Sequence, residues 1–92
     1  MYLIVCYDVV LNRRRAKLFK RLRTYLKPVQ KSVFEGPLPA PQRQQLRRDI
    51  LDCIDTRTDS VRIYALCGGC RQAVELLGTS LMVDDPDNDT LI

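Results

Sequence analysis

Asp8 is the residue whose setting most invites chemistry. It is the only acid before Glu35, it ends the apolar run Tyr2-Leu3-Ile4-Val5-Cys6-Tyr7, and it stands just ahead of the basic stretch Arg13-Arg14-Arg15-Ala16-Lys17. A carboxylate at a strand end, facing concentrated positive charge, has two readings: an Asp that caps a turn, or a metal ligand beside a phosphate-binding surface. The chain contains no His, so imidazole acid–base catalysis and Ser-His or Cys-His nucleophiles are excluded. What remains for phosphodiester chemistry is a hard cation on carboxylates. Magnesium takes one or two protein carboxylates and completes its shell with water and substrate phosphate. It can then generate hydroxide and clamp the scissile phosphate. One Asp per chain is thin for this, whereas two copies of Asp8 across a dimer axis would suffice, with Tyr7 and the Ser32 hydroxyl adding contacts.

The cysteines offer a second chemistry. Of the four, Cys6 falls in the first apolar run and Cys53 on an amphipathic stretch, and both read as small core residues. Cys67-Gly68-Gly69-Cys70 is a Cys-x-x-Cys. Zinc needs four ligands, and one pair of cysteines in a chain without His is a weak metal signal. A redox reading follows from the position of the pair after a predicted strand. A structural turn, with Gly68 and Gly69 permitting a tight reversal, is preferred over both.

Charge divides the chain. Residues 1–48 hold twelve Lys or Arg against Asp8 and Glu35, whereas residues 49–92 hold three Arg against nine Asp or Glu, for a net charge of +4. The first half therefore offers a surface for a polyanion, and Arg13, Arg14, Arg15, Lys17, Lys20, Arg21 and Lys31 are its candidate nucleic-acid contacts. Such contacts grip backbone phosphate without reading bases. The alternative is a well-solvated basic helix. No apolar run approaches the length of a membrane span, no secretory signal pattern opens the chain, and the cytoplasm is the expected location.

These residues must be positioned by a single small domain, since a chain of 92 residues buries only about 60–65% of its unfolded surface. Residues 2–8 alternate as a strand, with Tyr2, Ile4, Cys6 and Asp8 on one face and Leu3, Val5 and Tyr7 on the other. Asn12 is placed to cap a helix over Arg13–Leu26, whose apolar positions are Leu18, Phe19, Leu22, Tyr25 and Leu26, and Pro28 ends it. Residues 28–36 are β-prone and form either one bent strand or a very tight hairpin. A second helix covers 41–54, with Leu46, Ile50, Cys53 and Ile54 on one face, and a strand follows over Val61–Leu66. Residues 73–77 suit either a strand or a short helix.

This order predicts an α+β ferredoxin-like sandwich, βαββαβ, over residues 1–78, with an acidic tail over 79–92. Two helices cover one sheet face, yet the first strand is apolar on both. A two-fold homodimer through the sheets supplies the second cover, and a C-terminal segment folding back would do so too.

The segments Tyr2-Leu3-Ile4-Val5-Cys6-Tyr7-Asp8-Val9, Val29-Gln30-Lys31-Ser32-Val33-Phe34-Glu35-Gly36 and Ile63-Tyr64-Ala65-Leu66-Cys67 together resemble the small CRISPR-associated endoribonuclease family (Cas-two). The resemblance spans residues 1–78, and the Val-Gln-Lys-Ser-Val-Phe-Glu-Gly stretch is its most specific part. It implies a ferredoxin-like homodimer with Asp8 of each protomer at the interface binding magnesium; Phe34 joins Tyr7 and Ser32 as a candidate supporting residue. It also implies a part in spacer acquisition for antiviral defence, where the dimer bridges a CRISPR integrase and holds duplex DNA. Members are described both as metal-dependent nucleases on RNA or DNA and as non-catalytic scaffolds. The chain departs from the family in carrying Pro28 directly before Val29-Gln30, with Lys27 one position earlier. Two other readings are an RNA-degrading toxin of similar fold and a four-stranded RNA-recognition module. The latter's aromatic signature is absent.

Overall fold

Alternation of the first segment puts Leu3, Val5 and Tyr7 on one side of a strand, and in the computed structural model these three are buried while Tyr2, Ile4 and Cys6 are half-buried and Asp8 is exposed. The structure describes residues 1–78; the acidic tail expected over 79–92 lies outside them. The elements run β1 (Tyr2–Asp8), α1 (Asn12–Arg23), β2 (Lys27–Gln30), β3 (Val33–Pro37), α2 (Ala40–Cys53), β4 (Ser60–Leu66) and α3 (Gly68–Gln72). The sheet order is β2-β3-β1-β4 with every pairing antiparallel, the ferredoxin-like arrangement that the sequence predicts.

The β-prone stretch resolves as a hairpin. Gln30 pairs with Val33, so Lys31 and Ser32 alone make the turn, and Ser32 takes a φ of 64°. Positive φ is what tight hairpin turns demand of their central residues, and Ser is not a residue that advertises it. Pro28 lies within β2, and α1 stops earlier than Leu26, at Arg23. Asn12 does not cap α1: Leu11 occupies the cap position without a side-chain bond, and Asn12 Oδ1 instead accepts from Arg15 Nη2 at 3.0 Å. Pro41 sits inside the first turn of α2, where a missing N–H costs nothing.

Both helices pack on the Leu3–Val5–Tyr7 side of the sheet. The core joins these residues to Leu18, Phe19 and Leu22 of α1, Phe34 of β3, and Leu46, Ile50 and Cys53 of α2. Phe19 meets Phe34 edge-to-face with centroids 5.1 Å apart, a preferred aromatic geometry. The other sheet face carries Tyr2, Ile4, Cys6 and Asp8, registered against Leu66, Tyr64, Arg62 and Ser60 of β4. Val74, Glu75 and Leu76, which adopt neither helix nor strand, line a groove with Ile4, Val29, Val33 and Glu35, so the chain after α3 partly covers this face. Tyr64 remains 46% exposed on it.

A carboxylate fastens the loops at one end of the sheet. The Asp59 side chain is fully enclosed. It accepts from Val10 N–H (3.0 Å), Asp55 N–H (2.9 Å), Thr58 Oγ1 (3.2 Å) and both Nε and Nη2 of Arg14 (2.9 and 3.2 Å). The Arg14 hydrogen bonds hold the Asp59 carboxyl well below the usual carboxylate range. A folded-state value below the unfolded one gives stability that is present above about pH 4 and lost as pH falls through the depressed folded value. Asp59→Asn keeps the shape but loses the charge and turns an acceptor into a donor facing other donors. It is expected to lower Tm by roughly 10 °C, and to make the remaining stability less steep in pH below about 4. Thermal melts at several pH values check both.

Candidate nucleic-acid and metal site

Asp8 ends β1 opposite Ser60, exposed, on the sheet face away from the helices. The three residues that lead into α1 are held from both sides. Val9 is buried and its carbonyl accepts from Arg15 Nη1 at 2.9 Å, while Val10 N–H is bound by Asp59. The strand end that presents Asp8 is therefore a fixed feature rather than a free loop.

The register brings further residues to the same end of the sheet. Cys6 pairs with Val33, and Tyr7 N–H donates to the Ser32 carbonyl at 3.1 Å, which sets the hairpin tip Lys31-Ser32 beside the end of β1. The first turn of α1, with exposed Arg13, begins there too. From Arg13 the helix carries exposed Lys17 and Lys20 away along the opposite layer, over about 10 Å by helix rise. Arg62 of β4 shares Asp8's face, registered against Cys6.

The structure divides the remaining expected residues. Tyr7 and Phe34 are core, their rings 6.2 Å apart on the helix side of the sheet. Burial pushes the Tyr7 hydroxyl up to about 12, against the lowering effects of the Arg15 charge and a hydrogen bond with the Ser32 side chain. At neutral pH it stays protonated and supplies no base. Tyr7 and Ser32 thus meet each other rather than gathering around Asp8. Arg14 is committed to Asp59, Arg15 to Val9 and Asn12, and Arg21 to Asp49 at 3.3 Å. Arg13, Lys17, Lys20 and Lys31 are the exposed members of the predicted set.

Sequence reasoning missed three contributors. Arg43 and Arg47, spaced i,i+4 on α2, line a groove with Gln44 and Ile63 and extend the basic surface. Their spacing on a helix whose apolar face is elsewhere was the available signal. Asp59 was missed because its partners Arg14 and Val10 are more than forty positions away in sequence.

Among the described residues, no three His, Cys, Asp or Glu side chains gather as a metal cage. An exposed carboxylate with open solvent around it nevertheless fits magnesium, which dehydrates reluctantly and is commonly held by one or two carboxylates plus water and phosphate. It does not fit a structural zinc, which asks for a closed set of four.

This geometry has close counterparts. The crystal structure of Streptococcus pyogenes Cas2 superposes with a TM-score of 0.75 at 31% identity, covering 85% of this chain and all of that one. A hypothetical protein from Thermus thermophilus gives a TM-score of 0.77 at 35% identity, over 88% of this chain and 94% of that one. In sequence, the CRISPR-associated endoribonuclease Cas2 1 of Chloroflexus aurantiacus is 39% identical over 79 residues, 85% of each chain. The sequence model for CRISPR associated protein Cas2 matches residues 1–74, from β1 through α3 and just past it. A match over most of the chain and relatives of this identity show that the chain belongs to the CRISPR-associated Cas2 family.

Proposed function

We propose that this chain is a magnesium-dependent endoribonuclease of CRISPR defence, working as a two-fold homodimer whose two Asp8 carboxylates share the cation. The curated relatives carry the name CRISPR-associated endoribonuclease, which supports the reaction class. The observation that carries the reading is the exposed Asp8 on a clamped strand end, at the same end of the sheet as Arg13 and Lys31. Magnesium bound there would activate a water and neutralise charge on the scissile phosphate. The residues of the chain do the rest. Arg13 and Lys31 hold the flanking phosphates, Lys17 and Lys20 continue the backbone track, and the Asp59–Arg14 pair keeps the Asp8 strand end in place. The part-covered sheet face, with Tyr64 exposed on it, supports pairing through the sheets.

A second reading is favoured by the extent of the basic surface, which runs over α1 and α2 well beyond what one cleavage site needs. In that reading the dimer is a non-catalytic adaptor in spacer acquisition, gripping duplex DNA while a CRISPR integrase subunit binds elsewhere. Both roles can reside in one protein.

Asp8→Asn preserves size and removes charge. The variant is expected to lose magnesium-dependent RNA cleavage by about a hundredfold or more, while sedimenting as a dimer and binding duplex as the wild type does. Chelation should abolish wild-type cleavage and restored magnesium should return it. Cleavage by highly purified Asp8→Asn at the wild-type rate would leave the adaptor reading in place of the nuclease.

Backbone gripping has its own signature. Each phosphate contact contributes about −0.9 to the slope of log K against log salt on B-DNA. Replacing both Lys17 and Lys20 by Ala is expected to make the slope shallower by up to about 1.8 and to weaken binding evenly across sequences. A salt titration by fluorescence anisotropy reads this, and an unchanged slope would move the contact surface to α2.

A further inference from the structure

The sequence expectation for Cys67-Gly68-Gly69-Cys70 was a tight structural turn made accessible by glycine. The structure keeps a turn here but not the reason for glycine. Gly68 and Gly69 open the short helix α3, and neither has a positive φ. A Cβ built on either would meet nothing within 4 Å. Neither backbone conformation nor packing therefore asks for glycine at these positions. Cys67 and Cys70, which flank them, are both exposed free thiols.

Their spacing is that of a disulfide waiting to close. The Cα separation of residues i and i+3 is fixed by the dihedrals of the two residues between them. With Gly68 and Gly69 helical, it comes to about 5 Å, inside the window of about 4.4–6.8 Å that disulfides occupy. The turn is closed by Arg71 N–H donating to the Cys67 carbonyl at 2.9 Å, and Cys67 Sγ already accepts the Cys70 N–H at 3.5 Å. Cys67 also lines a surface cleft with Tyr2, Pro37, Leu66 and Arg71, and the Arg71 guanidinium lies 4.1 Å over the Tyr2 ring. The cleft thus brings an attacking sulfur and a cation to one opening, which suits a small anionic disulfide of the glutathione class.

From this geometry we propose that Cys67 and Cys70 form a redox-active dithiol, which exchanges with small anionic disulfides to give an intrachain disulfide that secures the turn between β4 and the segment lying on the open sheet face.

The step balances with that co-reactant. Cys67, having released its proton to solvent, attacks one sulfur of the small disulfide. The S–S bond breaks and one small thiolate leaves to take up a proton. Cys70 then gives up its proton and attacks Cys67 Sγ, forming the Cys67–Cys70 bond and expelling the second small thiol. Two protein thiols are oxidised and one small disulfide is reduced to two thiols. The order of attack is set by the Cys70 N–H, which holds the Cys67 thiol below its ordinary value, whereas the neighbouring Cys67 sulfur raises that of Cys70. Cys53 is unsuited, being buried with its thiol pushed up by that burial. The consequence for the fold runs through Ala73 and Val74. Their N–H groups bond to Gly69, Cys70 and Arg71 carbonyls, so the turn sets where residues 74–76 leave for the groove beside Ile4 and Val33.

The test uses the full reduced chain under native conditions with oxidised glutathione as probe. Intact mass should fall by about 2 Da as two hydrogens are lost, and alkylation followed by peptide mapping should place the bond between Cys67 and Cys70. Cys70→Ser should stop at one glutathione adduct on Cys67, and Cys67→Ser should react at least tenfold more slowly. Tryptic cleavage after Arg71 should slow several-fold on oxidation and recover on reduction. The proposal is overturned if the first adduct forms on Cys6, if Cys67→Ser reacts as fast as wild type, if cleavage after Arg71 is indifferent to redox state, or if both thiols are held by stoichiometric zinc in protein purified without chelator.

Discussion

The buried carboxylate of Asp59 is the constraint on which the functional end of the molecule depends. A charge enclosed without partners would cost several kcal/mol. Here it is met by two backbone N–H groups, a hydroxyl and a guanidinium, from α1, the β1–α1 loop and the α2–β4 loop. Because β1 and β4 are neighbours and Asp8 is registered against Ser60, the residue after Asp59, this tie sits at the strand end that presents Asp8. Arg15 completes it by holding the Val9 carbonyl from α1. The loop between strand and helix is thus short of freedom on both its donor and its acceptor side. That is what an exposed ligand needs if it is to meet a cation in one geometry rather than many.

The sheet supplies the second constraint. Its helix-facing side is a closed core, in which fully buried Leu3, Val5, Phe34, Leu18, Leu22 and Leu46 each contribute on the order of 1.5–3 kcal/mol of transfer free energy. Its other side is neither fully apolar nor fully polar. Ile4, Cys6 and Leu66 are half-buried, Arg62 and Tyr64 are exposed, and residues 74–76 lie in a groove beside Ile4 of β1 and the β2–β3 hairpin. A small domain with one saturated face and one unsaturated face gains most from a partner laid on the latter. The strand that carries Asp8 belongs to both faces, so under the proposed function association and cation binding would be linked through one element.

How much of this was legible follows from which interactions are local. Period-two alternation placed β1 correctly to the face of each residue, because the burial of Leu3, Val5 and Tyr7 is set by pleat alone. Helical spacing likewise found Leu18, Phe19 and Leu22, and Leu46, Ile50 and Cys53. The hairpin turn stayed ambiguous because Lys31-Ser32 lacks the Asn-Gly or Asp-Gly signal, and the positive φ of Ser32 is imposed by the pairing of its neighbours. Asn12 misled as a cap because a nearby guanidinium, Arg15, competes for its side-chain oxygen. The supporting roles given to Tyr7 and Phe34 fell to the same alternation that found the strand. Neighbours in sequence on a strand point to opposite faces, so Tyr7 is core because Asp8 is not. The partners of Asp59 are long-range, and no single-sequence pattern joins them.

Charge shows the same division between what a count implies and what folding spends. Of the basic residues in α1, Arg14, Arg15 and Arg21 are engaged inside the molecule, and the first two, half-buried, tie loops. The sequence asymmetry therefore overstates the field of α1. The fold restores it by a different route. α1 and α2 lie side by side on one sheet face, and at their seam the half-buried Asp49 is bound by Arg21, Tyr25 and Gln45. An acid used in the seam is an acid removed from the outer surface. Apart from Asp52, the exposed charged residues of these two helices are cations, with Arg13, Lys17, Lys20 and Arg23 on one and Arg43, Arg47 and Arg48 on the other. A single basic layer results from two helices that sequence analysis treats separately. Its breadth suits the spaced phosphates of a nucleic-acid backbone better than any one residue's contact would.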